Sequence, residues 1–111
     1  MSEEKIRAVV TQFAEEAKKI YGMALRSVIL YGSCARGDFV NDSDIDIMLL
    51  LDIAQEKVGE ARKQIIDISD QLDLEYDVVL APVIQSYQLY QQYMSASQFY
   101  QNVQKEGVEI A

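Results

Sequence analysis

A chain of 111 residues, half of them apolar, suits one compact domain with a single core and leaves no room for a second, substrate-binding domain. Its 18 acidic and 10 basic residues give a net charge of −8, which argues against nucleic acid as an acceptor, because gripping a phosphate backbone takes clustered Lys and Arg. The absence of histidine removes every Ser-His or Cys-His pair and the usual zinc ligand, while a lone cysteine, Cys34, rules out an internal disulfide and a cysteine metal cluster.

The first ten residues are acidic and lack an apolar core of the signal-peptide type, and no apolar run is long enough to cross a bilayer. A soluble, cytoplasmic protein is expected. Apolar residues at Ile6, Val9, Val10, Phe13, Ala14, Ala17, Ile20 and Tyr21 predict a helix with Ser2 as its N-cap and Gly22 as its stop. Leu25 to Tyr31 predicts a buried strand that ends at Gly32 in a tight turn, then a short helical segment broken by Gly37. Beyond the polar stretch 38–43, a second strand is predicted over Asp44 to Leu51, its first half alternating acid and aliphatic, its far half wholly apolar and therefore central.

Residues 56–72 place Val58, Ala61, Ile65, Ile68 and Leu72 at helical spacing, with Gly59 as a mild defect. A third strand is predicted from about Glu75 to Leu80, ending before Pro82. The last helix should run from Ser95 or Ala96 to Glu106, with Phe99, Tyr100 and Val103 inward and Gly107 as its end. The predicted fold is α/β (α+β) over residues 1–111: a mixed three-stranded sheet flanked by about four helices. Its second strand is central, antiparallel to the first and parallel to the third.

Asp44 and Asp46 project from one side of an extended strand, because successive side chains alternate. At about 5 Å and an effective dielectric near 20 they repel by roughly 3 kcal/mol, which a hard divalent cation would convert to attraction. Asp77, at the predicted start of the next strand, could bring a third acid to the pair, and Glu75, of the same parity, could supply it instead. Taken alone, Gly32 and Ser33 read first as a plain turn and helix cap and only second as a phosphate cradle, while Arg36 reads evenly as a phosphate contact or as the partner of Asp38 or Asp42. A Walker loop fails because Asp38 and Phe39 follow Gly37. An EF-hand loop starting at Asp42 fails because Ile47 and Ile53 stand where Gly and Glu are needed.

Gly32-Ser33, Ala35-Arg36-Gly37, Ser43-Asp44-Ile45-Asp46 and the later Asp77 together resemble the minimal nucleotidyltransferases of the DNA polymerase β superfamily, in particular the antitoxin half of HEPN/MNT toxin–antitoxin pairs. The resemblance covers nearly the whole chain and implies that polymerase-palm-like fold. It implies Asp44, Asp46 and Asp77 as catalytic acids on two Mg2+ ions, and Gly32, Ser33, Arg36 and Ser43 around the phosphates of ATP. The reaction implied is transfer of AMP to a hydroxyl on a HEPN toxin, with a hetero-oligomer as the assembly. Two alternatives stay open: small-molecule modification with a partner subunit, and a non-catalytic antitoxin that covers its partner. Tyr87, Tyr90 and Tyr93, interleaved with Gln, could supply such an interface or could pack the last helix.

Overall fold

The computed structural model describes residues 1–111. Helix α1 spans Glu3–Tyr21, capped by the Ser2 hydroxyl, which accepts from the Lys5 N–H at 3.1 Å. Glu3 and Glu4 lie in its first turn and Lys18 and Lys19 in its last, each complementing the helix dipole. Strand β1 is Leu25–Tyr31, followed by one turn of helix, α2 (Ser33–Arg36), and then β2 (Ile45–Leu51). Helix α3 is Val58–Tyr76 and β3 is Leu80–Ser86. Helices α4 (Tyr87–Tyr93) and α5 (Gln98–Glu106) lead to a two-residue strand, β4 (Val108–Glu109).

The sheet order is β3-β2-β1-β4. As expected, β2 pairs antiparallel with β1 and parallel with β3, the latter through the α3 crossover. The period of two in β2 divides the core. Ile45, Ile47, Leu49 and Leu51 face α1 and α3 in the larger cluster, whereas Met48 and Leu50 face Tyr90 and Val103 of α4 and α5. Every residue of β2 except Asp46 is fully buried, which accounts for its unbroken apolar run.

Three features depart from the sequence expectation. The sheet has a fourth strand, and five helices replace about four. The third strand begins at Leu80, not near Glu75, because the amphipathic period of α3 continues through the buried Leu72 and half-buried Tyr76. Asp77 therefore stands at no strand start: it ends α3 in the left-handed conformation at φ 55° and ψ 55°. The N–H groups of Asp77 and Val78 both return to the Asp73 carbonyl, and the Asp73 carboxylate accepts the Leu80 N–H at 2.8 Å. Pro82 lies inside β3 because β3 is an edge strand, whose outer side asks for no ladder donor.

Strand β4 was hidden by its brevity. Gly107 admits it: a Cβ there would collide with the Val103 carbonyl and the Ile29 side chain, so only glycine lets α5 turn straight onto the edge of β1. Ser27 then donates its hydroxyl to Glu109. Gly107→Ala is expected to cost about 1–3 kcal/mol in urea unfolding; an unchanged midpoint would mean that α5 does not seat against β1. Asp77→Gly, which relieves the left-handed residue, should raise stability by up to about 1 kcal/mol in the same assay, and a loss would assign its carboxylate a structural contact.

Candidate active site

The antiparallel register sets Tyr31 opposite Asp46, so the turn that follows β1 lies beside the acid that opens β2. Gly32 occupies that turn at φ 74°, where L side chains are strained, and a Cβ on it would overlap the Asp46 carboxylate. Glycine is needed here twice over, for its backbone angle and for the close approach of Asp46. Ser33 opens α2, whose first N–H groups have no acceptor within the helix. Gly37 closes the turn at φ 89°. The Cys34 thiol is buried and donates to the Asp44 carbonyl at 3.6 Å, tying α2 to the start of β2. Burial pushes that thiol up in pKa, with Asp46 and Asp44 adding to the shift, so it stays protonated and inert near neutral pH.

Asp44, just before β2, is exposed, and Asp46 is half-buried, with the parity of Met48 and Leu50 on the α4–α5 face of the sheet. Burial raises the pKa of Asp46; the Asp44 carboxylate raises it further, and Arg36 opposes them. Two carboxylates are thus held close with one nearby cation. Tyr31 feels the same field: its phenol is pushed up to about 12, by burial first and by Asp46 second.

The remaining sequence-predicted residues are placed as follows. Arg36 is exposed and holds Asp38 at 3.2 Å, as one sequence reading expected, and also Glu106 of α5 at 3.1 Å. The Ser43 hydroxyl accepts the Val40 N–H at 2.9 Å and so closes the loop before Asp44. Asp77 lines a shallow recess with Asn41, Asp42 and Ser43, is exposed, and does not join Asp44 and Asp46. Glu75, the alternative, lies exposed on α3. Asp73 is the α3 acid that feels Asp44: burial raises its pKa first, and Asp70 and Asp44 add to that, against the Leu80 N–H. Nothing in the sequence separated it from its neighbours, since its contact with Leu80 depends on where α3 ends.

Missed entirely were Glu106 and Phe99 as neighbours of the site. Phe99, expected inward, is 45% exposed, and its ring meets that of Tyr31 edge to face at 5.7 Å. Of the three α4 tyrosines, Tyr90 is buried against Tyr100, Tyr87 carries the Arg26 guanidinium at 4.7 Å, and Tyr93 stays exposed. Packing is thus the main work of that segment.

Comparison with known proteins places this geometry. The nucleotidyltransferase domain family matches residues 10–108. Two Methanocaldococcus jannaschii proteins named as candidate protein adenylyltransferases are 35% and 30% identical to the chain. The first alignment spans 96% of both chains; the second spans 96% of this chain and 99% of the relative. Among solved structures, a candidate nucleotidyltransferase from Sulfolobus solfataricus superposes with a TM-score of 0.54 at 18% identity, over 96% of this chain and 80% of the other. A toxin–antitoxin structure with AMP-PNP superposes with a TM-score of 0.50 at 19% identity, over 91% and 72%. The two structures establish likeness of fold. A match running from the first helix to the last strand, with relatives at 30% identity and above along their full length, makes the chain a member of the nucleotidyltransferase domain family.

Proposed function

We propose that this chain is a magnesium-dependent adenylyltransferase that moves AMP from ATP onto a hydroxyl of a protein partner, a toxin of the HEPN kind, and so serves as its antitoxin. The observation that carries the reading is the Asp46 carboxylate seated over the Gly32 turn with Asp44 two residues away. The names of the archaeal relatives support adenylyl transfer to protein, and the AMP-PNP-bound neighbour supports a nucleotide substrate and a toxin partner.

The donor set suits the metal. Mg2+ is held through one or two carboxylates together with substrate phosphates, and the mutual repulsion of Asp44 and Asp46 is the cost its charge would remove. When bound, magnesium supplies charge neutralisation for the triphosphate and for the departing pyrophosphate. A second ion, as the family resemblance implies, would need a third carboxylate beside the pair, and Asp77 lies elsewhere.

The chain's own residues do the positioning. The bare backbone at Gly32 and the free N–H groups at the start of α2 suit a phosphate, and Arg36 can turn to it from exposed ion pairs that are individually weak. In the transfer, the acceptor oxygen bonds to the α-phosphorus, the bond to the β-phosphate breaks, pyrophosphate leaves, and the hydroxyl proton is lost. A second reading, neutralisation by covering alone, is favoured by one observation: residues 78–104 carry no charge and leave Tyr93 47% exposed, a composition suited to an interface.

Mass spectrometry of the chain mixed with Mg-ATP and the toxin encoded beside it tests both. One AMP added to the toxin is expected, and none with Asp44→Ala. The charge-neutral pair Asp44→Asn with Asp46→Asn should abolish neutralisation; if it spares it, covering is the mechanism. Stability supplies a separate check. Because the folded chain holds the Asp46 proton more tightly than the unfolded chain does, stability falls as pH rises above the ordinary carboxylate value of about 4, and the penalty is complete at neutral pH. Asp46→Asn should therefore raise Tm at pH 7 and lose that advantage below about pH 4. An unchanged Tm at pH 7 would mean that the carboxylate is already compensated in the folded chain.

A further inference from the structure

We infer that Phe99 is the stacking surface for the base of the donor nucleotide, an assignment that rests on the nucleotidyltransferase reading of the same site. Helix α5 sends Val103 and Tyr100 against the sheet, Val103 to 1% exposure, yet leaves Phe99 in its first turn 45% exposed. The ring is not loose: it stands edge to face with Tyr31, whose strand partner is Asp46. A large aromatic surface is thus fixed in place, open to solvent, one residue from the carboxylate pair.

The other end of α5 fixes the direction. Glu106 lies seven residues on, which is two helical turns, so it shares a stripe with Phe99 at a rise of about 10 Å. Glu106 reaches Arg36, the cation of the phosphate turn. One stripe of α5 therefore touches the phosphate end of the site with Glu106 and presents an aromatic ring a nucleotide's reach away. The helix's own residues before Lys105 add no charge beside the ring, since residues 78–104 carry none, which suits a flat, uncharged heterocycle, while Arg36 and Glu106 stand at the far end of the stripe. Stacking of this kind is tolerant of the base, since every base offers a π-face.

Calorimetric titration of the full chain with Mg-ATP and with Mg-tripolyphosphate, which keeps the phosphates and lacks the base, tests the assignment. Phe99→Ala is expected to weaken ATP binding by roughly fivefold to a hundredfold and to leave tripolyphosphate binding unchanged. Phe99→Leu, which keeps apolar bulk and loses the flat ring, should behave like the alanine variant, and Phe99→Trp should retain ATP binding. Unchanged ATP affinity in the alanine and leucine variants, or equal weakening of both ligands, overturns the assignment while leaving the family reading intact. A wild-type chain that binds neither ligand overturns the assignment and the proposed nucleotide site alike, while membership of the family stands on the comparisons.

Discussion

The site depends on the register between β1 and β2. Setting Tyr31 opposite Asp46 brings the turn glycine against the carboxylate, and a slip of one residue would carry Asp46 to the opposite face of the sheet. The register is protected by burial on both sides of β2: Ile45, Ile47, Leu49 and Leu51 fill the space beneath α1 and α3, and Met48 and Leu50 fill that beneath α4 and α5. A slipped strand would have to put a carboxylate into one of these layers, at a cost of several kcal/mol unless it were paired. The apolar core thus fixes the acids in place without touching them.

The two faces differ in thickness, and the difference positions the chemistry. The α1–α3 side is a continuous cluster of 19 buried residues, whereas the α4–α5 side has four, so cover thins out toward the end of β1. Asp46 sits at that thin margin. It is buried enough for its charge to be penalised and open enough for a ligand to reach it. A carboxylate at this depth is poorly served by water, and perturbed carboxylates of this kind cluster at functional sites.

How much of this was legible in the sequence follows from what each feature depends on. Strand β1, the face of α1 and the sheet topology could be read because period, glycine position and the crossover rule each act locally or are nearly invariant. Asp44 and Asp46 could be read because aspartate is depleted in strands, and two of them leading into an unbroken apolar run serve no packing purpose. The end of α3 could not: Asp73, Glu75 and Asp77 share a strand parity, yet the same stretch also continues the helical period, and packing of Leu72 and Tyr76 decided for the helix. The loop roles were also out of reach. Whether the Ser43 hydroxyl faces a ligand or its own loop, and whether Arg36 meets Asp42 or Glu106, depends on a tertiary approach that leaves no pattern in residue order.

A triphosphate site of the proposed kind, in a chain of charge −8, would work against the whole-molecule field, which repels a free triphosphate. The arrangement of partners resolves this. Arg36 is the one cation felt by Asp46, and it would have to leave its exposed ion pairs with Asp38 and Glu106 to reach a phosphate, so it cannot offset the field alone. The rest would come from the backbone, a glycine that leaves room for an anion and the first N–H groups of α2, and from a divalent cation on the paired acids if one binds. Affinity built that way would follow the metal, because without it the two carboxylates would repel the triphosphate that the proposed reading places at the turn. On the proposed reading, a nucleotide arriving with its own magnesium would bring the missing charge, and the acids that would exclude a bare triphosphate would then hold the complex.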